Sequence, residues 1–198
     1  MEKEIKSRAS ILEKMRLGEP GFTDCPLMPE FLYTPKTDLI ADFQNNLSSF
    51  DGRFAEINTI GDISRYIQTN YSSAHCTLSL VDGYIGTTDL SEISESKQAA
   101  ILDLVVVPAR LGVAETGSVW LTGKELKINT LGLLPRDLIV VLSKKNIVGN
   151  LHDAYRRITL AETGYGSFYS GPSATADIEA IHVTGAQGIL SLTVLLLP

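Results

Sequence analysis

The chain has 198 residues, 44% of them hydrophobic and 20% charged, with a formal net charge of -6; this balance fits a compact globular domain and excludes disordered and fibrous classes. A chain of this length buries about 70% of its unfolded surface, so one core stands without disulfide or metal staples. Adjacent basic residues occur only as Lys144-Lys145 and Arg156-Arg157, too few for the clustered charge that phosphate backbones require, so no nucleic-acid partner is expected.

The opening MEKEIKSRAS lacks the apolar centre of a secretory signal, and no apolar run is long enough to span a bilayer, so a cytoplasmic protein with no membrane partner is expected. Ile5, Leu12 and Met15 fall on one face of EIKSRASILEKM with Ala9 between them, the pattern of an amphipathic helix. From Leu17 to Lys36 four prolines remove backbone donors and prevent a regular element. Residues 1–36 therefore read as a helix followed by a proline-rich arm. Its Phe22, Leu27, Met28, Phe31, Leu32 and Tyr33 need cover from the domain, from a partner subunit or from self-association.

The domain proper is read as 37–198. Asp38 opens a helix with Leu39, Ile40, Phe43, Leu47 and Phe50 on one stripe, ended by Asp51-Gly52. FAEIN then reads as a strand, DISRYIQTN as a helix, and HCTLSLV, ILDLVVVPA, GVAETGSVWLT and DLIVVLS as strands or apolar runs. NLHDAYRRI is a helix opened by Asn150, and TVLLLP a buried strand. Thr163 to Ser167 reads as a flexible turn with Tyr165 as a lid. Apolar runs without alternation call for strands covered on both sides, hence a three-layer α/β domain with a mostly parallel sheet.

Ligands of such sheets bind beyond the strands' carboxyl ends, and two loops are singled out. In Ala114-Glu115-Thr116-Gly117-Ser118 the glycine permits a tight turn or close approach and hydroxyls flank it. Glu115, beside apolar Val113 and Ala114, is either a partly desolvated base or nucleophile, or a solvated acid at an ordinary turn. In SGPSATADIE, Ser173 or Thr175 reads as the cap of a short helix, and Asp177 and Glu179 either bind ligand hydroxyls, amines or a cation, or simply cap. The two loops are expected to line one cleft at the rim of the sheet. Cys25 and Cys76 have no C-x-x-C spacing and His75, His152 and His182 fall in separate elements, so no metal or cluster is expected on this chain.

AETGSVWLT, LLPRDLIVVLSKKNIVGNLHDAYRRI and SFYSGPSATADIE, in this order, resemble the LUD-domain family, in its lactate utilization protein C branch. The resemblance implies a NagB/RpiA/CoA-transferase-like fold and a cytoplasmic role in oxidising L-lactate to pyruvate beside two iron–sulfur partner proteins, with the clusters on the partners. It carries Glu115, Thr116 and Gly117 onto one family motif, and Ser170, Gly171, Pro172, Ser173, Thr175, Asp177 and Glu179 onto a second. Gln187 stands where family members commonly have histidine, which removes any acid/base role for that position. Three functions remain open: an accessory subunit of lactate oxidation that binds a small organic acid or tunes a partner, a stand-alone enzyme of the superfamily using Glu115, and a binding module that has lost catalysis.

Overall fold

The computed structural model describes residues 2–18, 38–159, 164–177, 179–185 and 187–198. The chain divides into two compact units, Met1–Thr34 and Pro35–Pro198. The first contributes helix α1, Glu2–Leu17, on which Leu12 and Met15 are exposed. The apolar residues from Phe22 to Tyr33 lie outside the described residues.

In the second unit Asp38 caps helix α2, Leu39–Ser49: its carboxylate accepts the Ile40 and Ala41 N–H groups at 3.1 Å each. Phe43 and Leu47 are buried, while Phe50, which ends the helix, is exposed. Asp51 takes a φ of 60°, a conformation Asp tolerates better than most residues, and the chain turns into β1, Arg53–Glu56.

β1 is an edge strand of a five-stranded parallel sheet in the order β1-β11-β6-β3-β2, with β2 at Thr77–Ser79, β3 at Leu104–Pro108, β6 at Asp137–Ser143 and β11 at Ser191–Leu197. Its residues sort by parity. Leu104, Val106, Ile139, Val141 and Leu195 pack with Ile63 and Ile67 of helix α3, Asp62–Asn70. Val105, Val107, Leu138, Val140, Leu192 and Val194 pack on the opposite face with Phe43 and Leu47. Burial on both faces is why DLIVVLS and SLTVLLL are apolar at nearly every position.

The α/β class with a mostly parallel central sheet stands as expected, and a second sheet adds to it. β4 (Leu111–Val113), β5 (Ser118–Thr122), β7 (Ile147–Val148) and β8 (Gly166–Tyr169) form a four-stranded sheet in the order β7-β4-β5-β8. Val119 and Leu121 face the central core, while Trp120 packs outward with Leu111, Val113 and Val148 against Ala154 of helix α5, Leu151–Arg157. The sheets touch closely at Gly112, where a Cβ would lie 2.6 Å from Leu142 Cδ2. The turn expected at Thr163 to Ser167 is corrected from Gly166 onward, because β5 offers that segment a pairing edge: Val119 pairs with Tyr169 and Thr122 with Gly166. Helix α4, Gly123–Leu126, follows β5.

Candidate functional site

The register of β5 against β8 brings the two singled-out loops together. Val119 opposes Tyr169 and Trp120 opposes Phe168, so the first loop leads into this ladder at Ser118 and the second leaves it at Ser170. Gly117 and Gly171 both meet the last turns of α2. A Cβ on Gly117 would lie 2.0 Å from Leu47 N, and one on Gly171 would lie 2.0 Å from Phe50 O. Gly117 also has a φ of 59°, so both its torsion and its neighbour require glycine. Asn46 fixes the approach, its Nδ2 donating to Ala114 O at 2.7 Å. Thr116 Oγ1 and Ser118 Oγ share a hydrogen bond of 2.6 Å, with Ser118 buried.

Glu115 is exposed, in contrast to the desolvated alternative, and its Oε2 accepts the Leu151 N–H at 3.1 Å. Its carboxylate therefore sits on the first N–H of α5, beside the cap that Asn150 Oδ1 provides to Asp153 N at 2.9 Å.

The rest of the second motif runs elsewhere. Ser173 N donates to Ile189 O at 3.0 Å, Gly185 N donates to Ser173 O at 2.5 Å, and a Cβ on Gly188 would meet that of Ser173 at 2.9 Å. Pro172, half-buried, leads into this contact. Among the described residues no helix follows Ser173 or Thr175. Ala174–Thr175 is strand β9, paired antiparallel with β10, Val183–Thr184, because a second short strand returns within hydrogen-bonding reach. Thr175 Oγ1 donates to Asp177 at 2.7 Å. Asp177 and Glu179 are exposed near the hairpin tip, where Glu179 and Ala180 take φ of 55° and 57°. Gln187 is exposed.

The loops also occupy the end of the central sheet opposite to the one expected. α2 leads from Phe50 into the first residue of β1, so Gly171 against Phe50 lies at that strand's amino end, and Ile189 precedes β11 by two residues. The same end carries a buried polar chain. Ser191 Oγ donates to Asp137 at 2.5 Å, Tyr71 Oη hydrogen-bonds Thr193 Oγ1 at 2.7 Å and Ser191 Oγ at 3.3 Å, and Arg136 Nε lies 3.0 Å from Asp137. Asp103 accepts the Cys76 and His75 N–H groups at 3.0 and 2.8 Å, and those bonds, Cys76 first, hold its carboxyl below the usual carboxylate range. Tyr169 is buried, and burial followed by the bond to Tyr165 raises its phenol well above the ordinary value.

At the carboxyl end, a groove beside β1 is lined by Glu56, Asn58, Asp62, Arg65, Tyr66 and Thr69. Asp62 accepts Thr59 N, Asn58 N and the Thr59 hydroxyl; the Thr59 N–H is the leading cause of its lowered pKa. At the end of GVAETGSVWLT, Thr122 and Glu125 carry the T-x-x-E signature of a capping box. Thr122 caps α4 and Glu125 returns the bond to Thr122 N at 3.1 Å. Among the described residues no three His, Cys, Asp or Glu side chains are grouped to hold a metal ion, and no helix is long and apolar enough to cross a membrane. Cys76 is an exposed thiol, and Cys25 lies outside the described residues.

The family model for the LUD domain matches residues 13–197. A 100-residue stretch is 36% identical to lactate utilization protein C of Shouchella clausii (strain KSM-K16), taking in 48% of this chain and 43% of that protein. Over 102 residues the chain is 33% identical to the uncharacterized protein YkgG of Escherichia coli (strain K12), again 48% of this chain and 43% of that one. Over 98 residues it is 35% identical to lactate utilization protein C 1 of Bacillus mycoides (strain KBAB4), covering 46% and 42%. Each of these alignments takes in less than half of the relative's length. A solved DUF162 family protein from Deinococcus radiodurans superposes with a TM-score of 0.61 over 81% of this chain and 96% of that chain, at 12% identity, which shows a shared fold.

Proposed function

Because the chain belongs to the LUD domain family, we propose that it serves the oxidation of L-lactate to pyruvate as an accessory subunit, beside iron–sulfur proteins that carry the redox chemistry. The observation that carries the reading is the 36% identity to a lactate utilization protein C. Two further points support it. The chain has only two cysteines, Cys25 and Cys76, too few for the four thiolates that usually hold a cluster, so clusters are assigned to partners. Glu115, the candidate nucleophile, is committed to the α5 N-terminus, which favours a binding or tuning role over attack on a thioester. In this role the chain works in the cytoplasm, and its small-molecule ligand is an organic acid.

The test is genetic and biochemical. Deleting the gene is expected to abolish growth on L-lactate as the carbon source, and tagged chain from lactate-grown cells is expected to retain cysteine-rich partners. Unimpaired growth on lactate together with an empty pull-down would sink the reading.

A further inference from the structure

Arg110 stands at the carboxyl end of the central sheet, the end at which open α/β sheets receive ligands. Ala109 N donates to Val141 O at 2.8 Å, carrying the β3–β6 ladder one residue past Pro108, and Arg110 follows. Its Nε lies 2.6 Å from Glu125 Oε1. The Arg110 side chain is 62% exposed whereas that of Glu125 is 6% exposed. Glu125 is itself locked: Oε2 accepts Thr122 N at 3.1 Å and also the Thr122 hydroxyl.

Each oxygen of this buried acid therefore has its own partner, and Oε1 forms an ion pair with the guanidinium at Nε. Among the described residues no other bond or ion pair of Arg110 exists, so both terminal amino groups are left to solvent. A second cation at this end is braced differently. Lys144 Nζ is 2.6 Å from Glu56, but the Glu56 side chain is 53% exposed. An exposed pair of that kind exchanges readily with water, whereas a buried carboxylate keeps its partner in place.

We propose that Arg110, oriented by Glu125, is the anchor of a monocarboxylate-binding site at the carboxyl end of the central sheet. The two Nη groups present parallel N–H donors that match the two oxygens of a carboxylate. Exposed Lys124 and Lys127 flank Glu125, and the Glu125 carboxylate beside the guanidinium opposes a phosphate dianion more strongly than a monoanion. Choosing L-lactate as the probe rests on the function proposed above; the carboxylate class rests on the guanidinium fork and the Glu125 charge beside it.

The experiment titrates the full 15N-labelled chain with L-lactate, pyruvate, acetate, uncharged lactamide and inorganic phosphate at constant ionic strength, following the Leu111 and Gly123 amide signals. Saturable shifts with the carboxylates and none with lactamide are expected. Arg110→Lys keeps a counter-charge for Glu125 but loses the fork, so it should fold with a near-unchanged thermal midpoint and bind roughly ten- to a hundredfold more weakly. Glu125→Gln should also weaken binding, since it frees the guanidinium to turn.

Wild-type chain that shows no saturation with any carboxylate by about 50 mM, that binds phosphate and not carboxylates, or that binds no better than Arg110→Lys overturns the proposal. The two readings fail separately. Carboxylate binding through Arg110 in a strain whose deletion still grows on lactate leaves the site and removes the lactate role, and a growth defect without binding does the reverse.

Discussion

The two ends of the central sheet are built on opposite plans. At the amino end, Gly117 and Gly171 let backbone meet backbone, and Asp137, Ser191, Tyr71 and Thr193 satisfy one another in the interior. At the carboxyl end, Arg110, Lys144 and Glu56 keep much of their surface in water. The sequence motifs richest in glycine and hydroxyls thus lie where the chain is held together. The group with unused donors, Arg110, lies between the apolar run ILDLVVVPA and GVAETGSVWLT, in neither motif. Dense local motifs mark any position where a side chain is forbidden or a hydrogen bond is required, and packing imposes both conditions as strictly as ligand binding does.

The sharpest way to break that contrast is at Gly117. Alanine there faces a positive φ and a backbone nitrogen 2.0 Å from its Cβ, so Gly117→Ala should cost about 3 kcal/mol or more, read from the urea midpoint. Near-native stability with lost ligand binding would instead make the loop a ligand loop. Next in size is Tyr71→Phe, which removes the hydroxyl that bonds Thr193 and Ser191. Because the partners are buried, the loss should be about 1–2 kcal/mol.

A smaller effect is expected from Asp103, whose folded carboxyl lies below its unfolded value through the Cys76 and His75 N–H groups. A depressed carboxylate contributes stability that is fully present above its unfolded pKa of about 3.9 and is lost as pH falls through the folded value. Asp103→Asn should therefore lower stability at neutral pH and flatten the acid limb below about pH 4. Parallel pH profiles of the urea midpoint for both proteins would contradict this.

Much of the fold was legible because the relevant signals are local. DISRYIQTN became α3 with its stripe of Ile63 and Ile67, and DLIVVLS became β6 over the same seven residues. Asp38 and Asn150 capped the helices they preceded. The second sheet was not legible, since β7 and β8 are two and four residues long and exist only because β4 and β5 offer edges. The same reason hid β9, whose partner β10 lies eight residues on. The adjacency of the two motifs was foreseeable as a pairing, but their end of the sheet was not. It depends on the direction in which α2 enters β1, and no residue in either loop encodes that direction.

Glu115 separates the two plans most finely, because it belongs to a motif loop at the packed end and is nevertheless exposed. As a cap for α5 it needs only an acceptor at the position of Oε2, and glutamine supplies one. Glu115→Gln should therefore change stability by less than about 0.5 kcal/mol, losing only the charge term at the helix start, while Glu115→Ala should lose about 1 kcal/mol. A nucleophile or base would give the opposite ordering in a functional assay, with glutamine as damaging as alanine because neither carries the reacting oxygen anion. Thermal midpoints and lactate-dependent growth measured on both variants tell the roles apart: wild-type growth with Glu115→Gln assigns the carboxylate to packing, and lost growth at unchanged stability assigns it to chemistry.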